Sequence, residues 1–114
     1  MLSSDFRFHG HGSLRYLYKN ADAFRAKFFT IKVLKNSHRN KSRFAVVVSK
    51  KVHKSAVGRN RMRRRIYEIL RSELPKLNDV YDIVVIITTS EVITADFAEL
   101  QSSMRSLFEQ ADLY

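Results

Sequence analysis

The apolar positions in the first part of the chain change from a helical period to a strand period. After Ser13, a residue type favoured at helix N-caps, apolar residues at helical spacing predict a short helix to about Asn20. The next segment has a period of two and predicts a half-buried strand with Phe29, Ile31 and Val33 on one side and Phe28, Thr30 and Lys32 on the other. A second strand is predicted from Arg43 to Ser49, and the polar residues between the strands predict a hairpin.

The later part of the chain has the pattern of a helix, a strand and a second helix. Apolar residues about 3.6 apart predict a helix from about Ala56 to Ser72, and Pro75 disfavours its continuation. Tyr81 to Thr88 is typical of a central strand covered on both faces, and Thr94 is predicted to cap a last helix. The residues expected in the core are Phe29, Ile31, Phe44, Val46, Met62, Ile66, Ile69, Leu70, Phe97, Leu100, Met104, Leu107 and Phe108.

This order of elements predicts an α+β fold in which helices pack against a sheet, as one domain over residues 1–114. No repeat or flexible linker divides the chain, which has one proline and three glycines. The absence of cysteine excludes a disulfide scaffold and a thiolate zinc site. No apolar run approaches the roughly 20 residues of a membrane span. We therefore expect a cytoplasmic protein without a membrane partner.

The charge of the chain is both large and unevenly distributed. Twenty-one basic residues against eleven acidic ones give a net charge of +10. Residues 1–72 contain nineteen basic and three acidic residues, net +16, whereas residues 73–114 contain two basic and eight acidic ones, net −6. A solubilising coat would be more uniform. The concentration of positive charge indicates a binding face for a polyanion, most commonly a nucleic acid.

The positive charge is densest at the start of the helix predicted from Ala56. Between Ser49 and Arg65 there are eight basic residues and no acid: Lys50, Lys51, Lys54, Arg59, Arg61, Arg63, Arg64 and Arg65. At about 100° per residue, Asn60, Arg61, Arg64, Arg65 and Arg71 lie away from the apolar stripe. Cations near a helix N-terminus oppose the helix dipole, and a bound phosphate would remove that conflict.

The same segment carries the signature of a known family. Ser49-Lys50-Lys51-Val52 followed by Ala56-Val57-Gly58-Arg59-Asn60-Arg61-Met62-Arg63-Arg64 resembles the bacterial ribonuclease P protein subunit, in which a Lys-Lys strand end leads into an Arg-Asn-Arg helix. The resemblance extends over nearly the whole chain. It implies a two-layer sandwich with a mixed four-stranded sheet, in the order α-β-β-(β)-α-β-α, and a left-handed β-α-β crossover through the arginine-rich helix.

The resemblance also implies a function. Members of the family assist a catalytic RNA subunit that hydrolyses the bond between the 5′ leader and precursor tRNA, with Mg²⁺ held mainly by RNA. The chain would then contribute no catalytic residue, no metal ligand and no small-molecule cofactor site. Its expected partners are the RNA subunit, in a 1:1 complex, and precursor tRNA.

The resemblance divides the candidate RNA-binding residues into two sets. The set expected to bind the RNA subunit is Lys50, Lys51, Arg61, Arg64 and Arg65. The set expected to bind the single-stranded leader is Leu14, Tyr18, Thr30, Lys32, Arg59, Asn60 and Arg63. One of the two aromatic residues that the family usually offers to the leader is absent, because Leu14 occupies its position.

Other interpretations remain open at this point. His9 and His11 could share a metal ion but lack a third ligand nearby, so an entry segment that touches RNA is favoured. His53 is equally consistent with a phosphate contact and with an ordinary turn residue. A structural RNA-binding protein of ribosomal type shares the charge pattern, and a nuclease that uses its own His and Asp residues is the other alternative.

Overall fold

The computed structural model describes residues 19–36 and 40–114, which form a mixed four-stranded sheet with two long helices packed on one face. The strands are β1 (Asp22–Arg25), β2 (Phe29–Lys35), β3 (Arg43–Val48) and β4 (Tyr81–Ile87), and the helices are α1 (Ala56–Glu73) and α2 (Phe97–Gln110). Short 3₁₀ turns follow α1 at Leu74–Lys76 and β4 at Ser90–Ile93. The predicted α+β sandwich is confirmed. The helix predicted from Ser13 lies outside the described residues except at its last two positions, which are helical.

β4 lies in the interior of the sheet, between β2 and β3. Its residues are buried on both faces, with Asp82 to Val85 buried without interruption. The strand order is β1-β2-β4-β3, with β2 antiparallel and β3 parallel to β4. The predicted hairpin between β2 and β3 is therefore wrong, since β4 lies between them. β2 instead forms a hairpin with β1, a four-residue edge strand whose largely exposed residues lack an apolar alternation.

α1 connects the two parallel strands. Parallel neighbours cannot be joined by a tight turn, so the chain leaves β3, forms α1 on the core face and returns as β4. The order confirms the β-α-β unit that the family resemblance implies. Its left-handed crossover stays a prediction.

The core lies between the sheet and the two helices. Alternate residues of β2 and β3 are buried, and the α1 stripe of Met62, Ile66, Ile69 and Leu70 is fully buried against them. Two core predictions are wrong. Phe28, expected on the outward side of the strand, is buried. It lies just before β2, outside the strand alternation, and its ring centroid is 6.2 Å from that of Phe29. Phe97, expected in the core, is 41% exposed.

The ends of the two helices are set by different local signals. Ser55 is the N-cap of α1 and accepts a hydrogen bond from the Gly58 N–H at 3.3 Å, and α1 ends two residues before Pro75, as predicted. The prediction that Thr94 caps the last helix is wrong. Thr94 ends the 3₁₀ turn that Thr89 caps, and α2 begins only at Phe97. That late start places Phe97 at the first helical position, where its ring is partly exposed.

A buried carboxylate holds the last turn of α1. Glu73 is fully buried and accepts hydrogen bonds from Arg105 Nε at 2.7 Å, the Tyr114 hydroxyl at 2.9 Å and Lys76 Nζ at 3.2 Å. Burial alone would raise the pKa of Glu73, but these donors outweigh it and lower the pKa below its ordinary value. Burial and the Glu73 carboxylate raise the pKa of the Tyr114 hydroxyl.

The residues after α2 pack back onto the connection between α1 and β4. The Asn78 backbone N–H donates to the Leu113 carbonyl at 2.7 Å, and its side chain donates to the carbonyls of Asp112 and Tyr114. Leu113 is buried in the core. Together with the hydrogen bonds that Glu73 accepts from Arg105 and Tyr114, these contacts join the C-terminal end of α1 to α2 and to the residues that follow α2.

The buried Glu73 carboxylate, with its hydrogen-bond donors, predicts a pH dependence of stability. A carboxyl whose pKa is lower in the folded chain than in the unfolded one stabilises the fold above its unfolded-state pKa, and this stabilisation is lost as the pH falls through the folded-state pKa. We expect Glu73→Gln to lower the free energy of unfolding at pH 7 by about 1–3 kcal/mol. We also expect it to reduce the loss of stability on acidification. Urea unfolding at pH 7 and pH 3 measures both effects, and an identical acid dependence in the variant would contradict this account.

Candidate nucleic-acid interface

The side of α1 opposite the core carries exposed arginines, namely Arg61 and Arg64 and, farther along the helix, Arg71, which is paired with Glu68. Ile66 is fully buried, and a helical rotation of about 100° per residue places Arg61 and Arg64 on the opposite side of the helix axis. Neither guanidinium has a hydrogen-bond or ion-pair partner among residues 19–36 and 40–114. We call this pair the arginine ridge. Two adjacent, unpaired guanidinium groups are suited to bidentate contacts with phosphate oxygens.

The electrostatic environment of the ridge favours an anion. The first turn of α1 contains no acid, and the ion pair between Arg71 and Glu68 lies near its other end. Exposed helices commonly offset their cations with acids three or four residues away.

Two other arginines of α1 donate hydrogen bonds within the chain. Arg59 Nη1 donates to the carbonyls of His53 at 2.9 Å and Lys54 at 2.8 Å, which ties the loop after β3 to the helix. Arg65 Nη1 donates to the carbonyls of Val92 at 2.6 Å and Ile93 at 2.9 Å, and its Nη2 donates to Ala95 at 2.6 Å.

These contacts show that not all arginines of α1 are left without a partner in the fold. Arg65, predicted to face the RNA subunit, is half-buried and holds the 3₁₀ turn after β4 against α1. The helical wheel placed it away from the apolar stripe but could not show that another segment packs there. Arg63 donates to the Asn60 side chain, so two residues of the predicted leader set are hydrogen-bonded to each other.

The loop between β3 and α1 presents the lysines. Lys50, Lys51 and Lys54 are exposed, and their ammonium groups have no partner in the described part of the chain. The loop is compact because the backbone N–H groups of Val52 and His53 both donate to the Ser49 carbonyl.

The ring of His53 packs directly against the first turn of α1. A Cβ atom at Gly58 would lie only 2.1 Å from His53 Nε2. Glycine at this position therefore permits the close approach of the ring. The structure assigns His53 a packing contact and does not test a phosphate contact.

The residues predicted to bind the leader are divided between the sheet and α1. Thr30 and Lys32 are half-buried on the sheet face opposite the core, where they pair in register with Ile86 and Val84 of β4. Arg59, Asn60 and Arg63 are on α1, and no hydrogen bond in the described part of the chain joins them to Thr30 or Lys32. Leu14 and Tyr18, the other members of the leader set, lie outside the described residues.

Two acidic groups in and just before β4 are used in ion pairs. Asp82 is buried and binds the Arg43 guanidinium, with contacts of 2.8 and 3.0 Å, and Asp79 pairs with Lys35 at 2.9 Å. Within residues 19–36 and 40–114, no three His, Asp or Glu side chains are close enough together to hold a metal ion. No helix in those ranges has the length and apolar character needed to cross a membrane. His9 and His11 lie outside the described residues.

Comparisons with known proteins agree on one family. A family profile described as Ribonuclease P matches residues 2–112. The ribonuclease P protein component of Pseudanabaena sp. (strain PCC 6903) is 32% identical over 111 residues, which covers 97% of this chain and 95% of the relative. The corresponding component of Clostridioides difficile (strain 630) is 38% identical over 100 residues, covering 87% of this chain and 85% of the relative.

Solved structures show the same fold. The RNase P protein of Staphylococcus aureus superposes with a TM-score of 0.83 at 22% identity, covering 96% of this chain and 97% of that one. The RNase P protein of Thermotoga maritima superposes with a TM-score of 0.76 at 24% identity, covering 85% of this chain and 89% of that one.

The different environments of Arg65 and Arg61 predict different effects on stability. Arg65→Ala removes the donor to three backbone carbonyls, and we expect it to lower the free energy of unfolding by about 1–3 kcal/mol. Arg61→Ala is the matched control on the same helix and should change stability by less than about 0.5 kcal/mol. Urea unfolding of the two variants measures this difference. Equal effects would show that the Arg65 contacts do not hold the fold.

Proposed function

The chain belongs to the family of ribonuclease P protein components, and we propose from this membership and from the geometry of α1 how it acts in that enzyme. Ribonuclease P is an endoribonuclease that processes the 5′ end of tRNA, and the chain is its protein subunit. Its partners are therefore an RNA subunit and precursor tRNA. Membership of this family favours that role over a structural protein of ribosomal type.

The observation that carries our proposal is the unpaired arginine ridge. Arg61 and Arg64 have no partner among the described residues and point away from the core, so they can contact RNA without disturbing the fold. We assign them, with the exposed Lys50 and Lys51, to the RNA subunit. Arg65 was predicted in the same set, but its donors to three carbonyls support a positioning role next to the ridge.

We assign leader binding to the sheet face opposite the core and to the N-terminal part of α1. Thr30 and Lys32 lie on that sheet face, half-buried, and the family resemblance adds Leu14 and Tyr18 to the set. Aromatic stacking on an unpaired base typically contributes about 1–3 kcal/mol. The Arg59 Nη2 and Nε atoms donate to no described residue and remain available for a backbone phosphate, and Asn60 and Arg63 would act as a hydrogen-bonded pair.

We propose that the RNA subunit carries the hydrolytic chemistry and holds the Mg²⁺ ions. Several carboxylates of the chain already have partners in the fold: Glu73 with Arg105, Asp82 with Arg43 and Asp79 with Lys35. The protein would act by binding and orienting RNA, in a 1:1 complex in the cytoplasm. No side chain of the chain takes part in proton transfer in this scheme.

Reconstitution of cleavage tests the proposed function. Protein and cognate RNA subunit are combined at a low Mg²⁺ concentration at which the RNA alone is inactive, with precursor tRNA as substrate. We expect cleavage at the junction of leader and mature tRNA only when both subunits are present. The Arg61→Ala/Arg64→Ala double variant should restore less activity than wild type at the same protein concentration, because it binds the RNA subunit more weakly.

Two results would contradict the proposal. Cleavage by the protein without RNA would identify a nuclease that uses its own side chains. Binding of the RNA subunit without any restoration of cleavage would identify a structural RNA-binding protein. Arg71→Ala is the control for the double variant, since the Arg71 guanidinium is paired with Glu68 and Arg71 lies two turns farther along α1 than Arg64.

A further inference from the structure

An open groove of about 610 Å³, lined by polar side chains together with Val52 and Ile93, lies between the segments that follow β3 and β4. One wall is the loop after β3, and the other is the 3₁₀ turn after β4. The polar residues that line it are Lys51, His53, Lys54, Ser90, Glu91 and Thr94. Its volume is within the range of pockets that hold small ligands.

The position of the groove follows from the sheet topology. β3 and β4 are parallel, so their carboxyl ends, which pair at Val48 and Ile87, meet at one edge of the sheet. Open sheets with parallel strands commonly bind ligands outside the carboxyl ends of those strands. The segments that follow β3 and β4 therefore lie at the same edge.

Each wall of the groove is held by an arginine of α1. Arg59 donates to the carbonyls of His53 and Lys54 in the first wall, and Arg65 donates to those of Val92, Ile93 and Ala95 in and after the second. Because both arginines come from one helix, the distance between the walls is fixed by α1. The groove is therefore preorganised, which reduces the cost of ordering it around a ligand.

The charges in the groove are not paired with each other. The ammonium groups of Lys51 and Lys54 and the carboxylate of Glu91 all lack a partner in residues 19–36 and 40–114. A carboxylate beside two lysines would weaken the binding of a polyanion by Coulomb repulsion unless it accepts a hydrogen bond from the ligand. A ligand that fits has a phosphate for the lysines and a donor group for Glu91.

We propose that this groove binds one nucleotide of an RNA, with its phosphate on Lys51 and Lys54 and a base or ribose donor on Glu91. Carboxylates accept hydrogen bonds from amino groups of bases, and the ribose 2′-hydroxyl is a donor that DNA lacks. The inference rests on the proposed function. It adds a contact that discriminates between nucleotides, which the phosphate contacts of the ridge do not provide.

The sign of the effect of Glu91→Ala on RNA affinity tests the proposal. Removal of a negative charge should tighten RNA binding if Glu91 only repels RNA. If Glu91 accepts a hydrogen bond, Glu91→Ala should weaken binding of one RNA by about tenfold, and Glu91→Gln should weaken it less because its amide oxygen still accepts. The matched control is Glu109→Ala, which removes an exposed acid of α2 and should leave affinity unchanged or slightly higher.

Affinities are measured for the RNA subunit alone, and for precursor and mature tRNA with the assembled enzyme. A decrease in affinity for the RNA subunit alone would place one of that subunit's nucleotides in the groove. A decrease in affinity for precursor tRNA alone would place a leader nucleotide there. Lys54→Ala should weaken the same RNA and lower the slope of log affinity against log salt by roughly 0.7–0.9. Thermal unfolding should be unchanged in the Glu91 variants, because the Glu91 side chain has no partner in the described part of the chain.

Unchanged or tighter binding of every RNA by Glu91→Ala would overturn the groove assignment while leaving the proposed function intact. An equal decrease in affinity in Glu109→Ala would also overturn it, since the effect would then not be specific to the groove. Failure of the wild-type chain to bind the RNA subunit would instead overturn the proposed function and, with it, the groove assignment.

Discussion

Burial of one side of α1 against the sheet is the constraint on which the rest of the molecule depends. Met62, Ile66 and Ile69 are fully buried, and each buried aliphatic side chain stabilises the fold by about 1.5–3 kcal/mol. This burial fixes the rotation of the helix about its axis. Arg61 and Arg64 must then face outward, and the same helix that connects β3 to β4 carries the surface that we propose to bind RNA.

The arginines of α1 serve two purposes, which their positions around the helix separate. Arg61 and Arg64 lie opposite the core and keep their guanidinium groups free of partners among the described residues, whereas Arg59 and Arg65 lie closer to the sheet and bind carbonyls of the flanking segments. Guanidinium groups without partners in the described part of the chain remain able to bind phosphate oxygens, which supports the proposed contact with RNA.

The sequence predicted the features that depend on periodicity and failed where distant segments meet. The buried stripe of α1 follows from apolar spacing, and the central position of β4 follows from its continuous apolar, β-branched run. The hairpin between β2 and β3 was wrong because local sequence does not show that β4 inserts between them. The carbonyl contacts of Arg65 and the ion pair of Glu73 with Arg105 join residues about thirty positions apart, and no local pattern indicates them.

The salt dependence of RNA-subunit affinity tests the role of the ridge most directly. Removing one cation that binds a phosphate should reduce the slope of log affinity against log salt by roughly 0.7–0.9. We expect that reduction for Arg61→Ala and for Arg64→Ala, and an unchanged slope for Arg71→Ala, whose guanidinium is paired with Glu68. Slopes equal to that of the wild type in both ridge variants would show that the ridge does not contact phosphates.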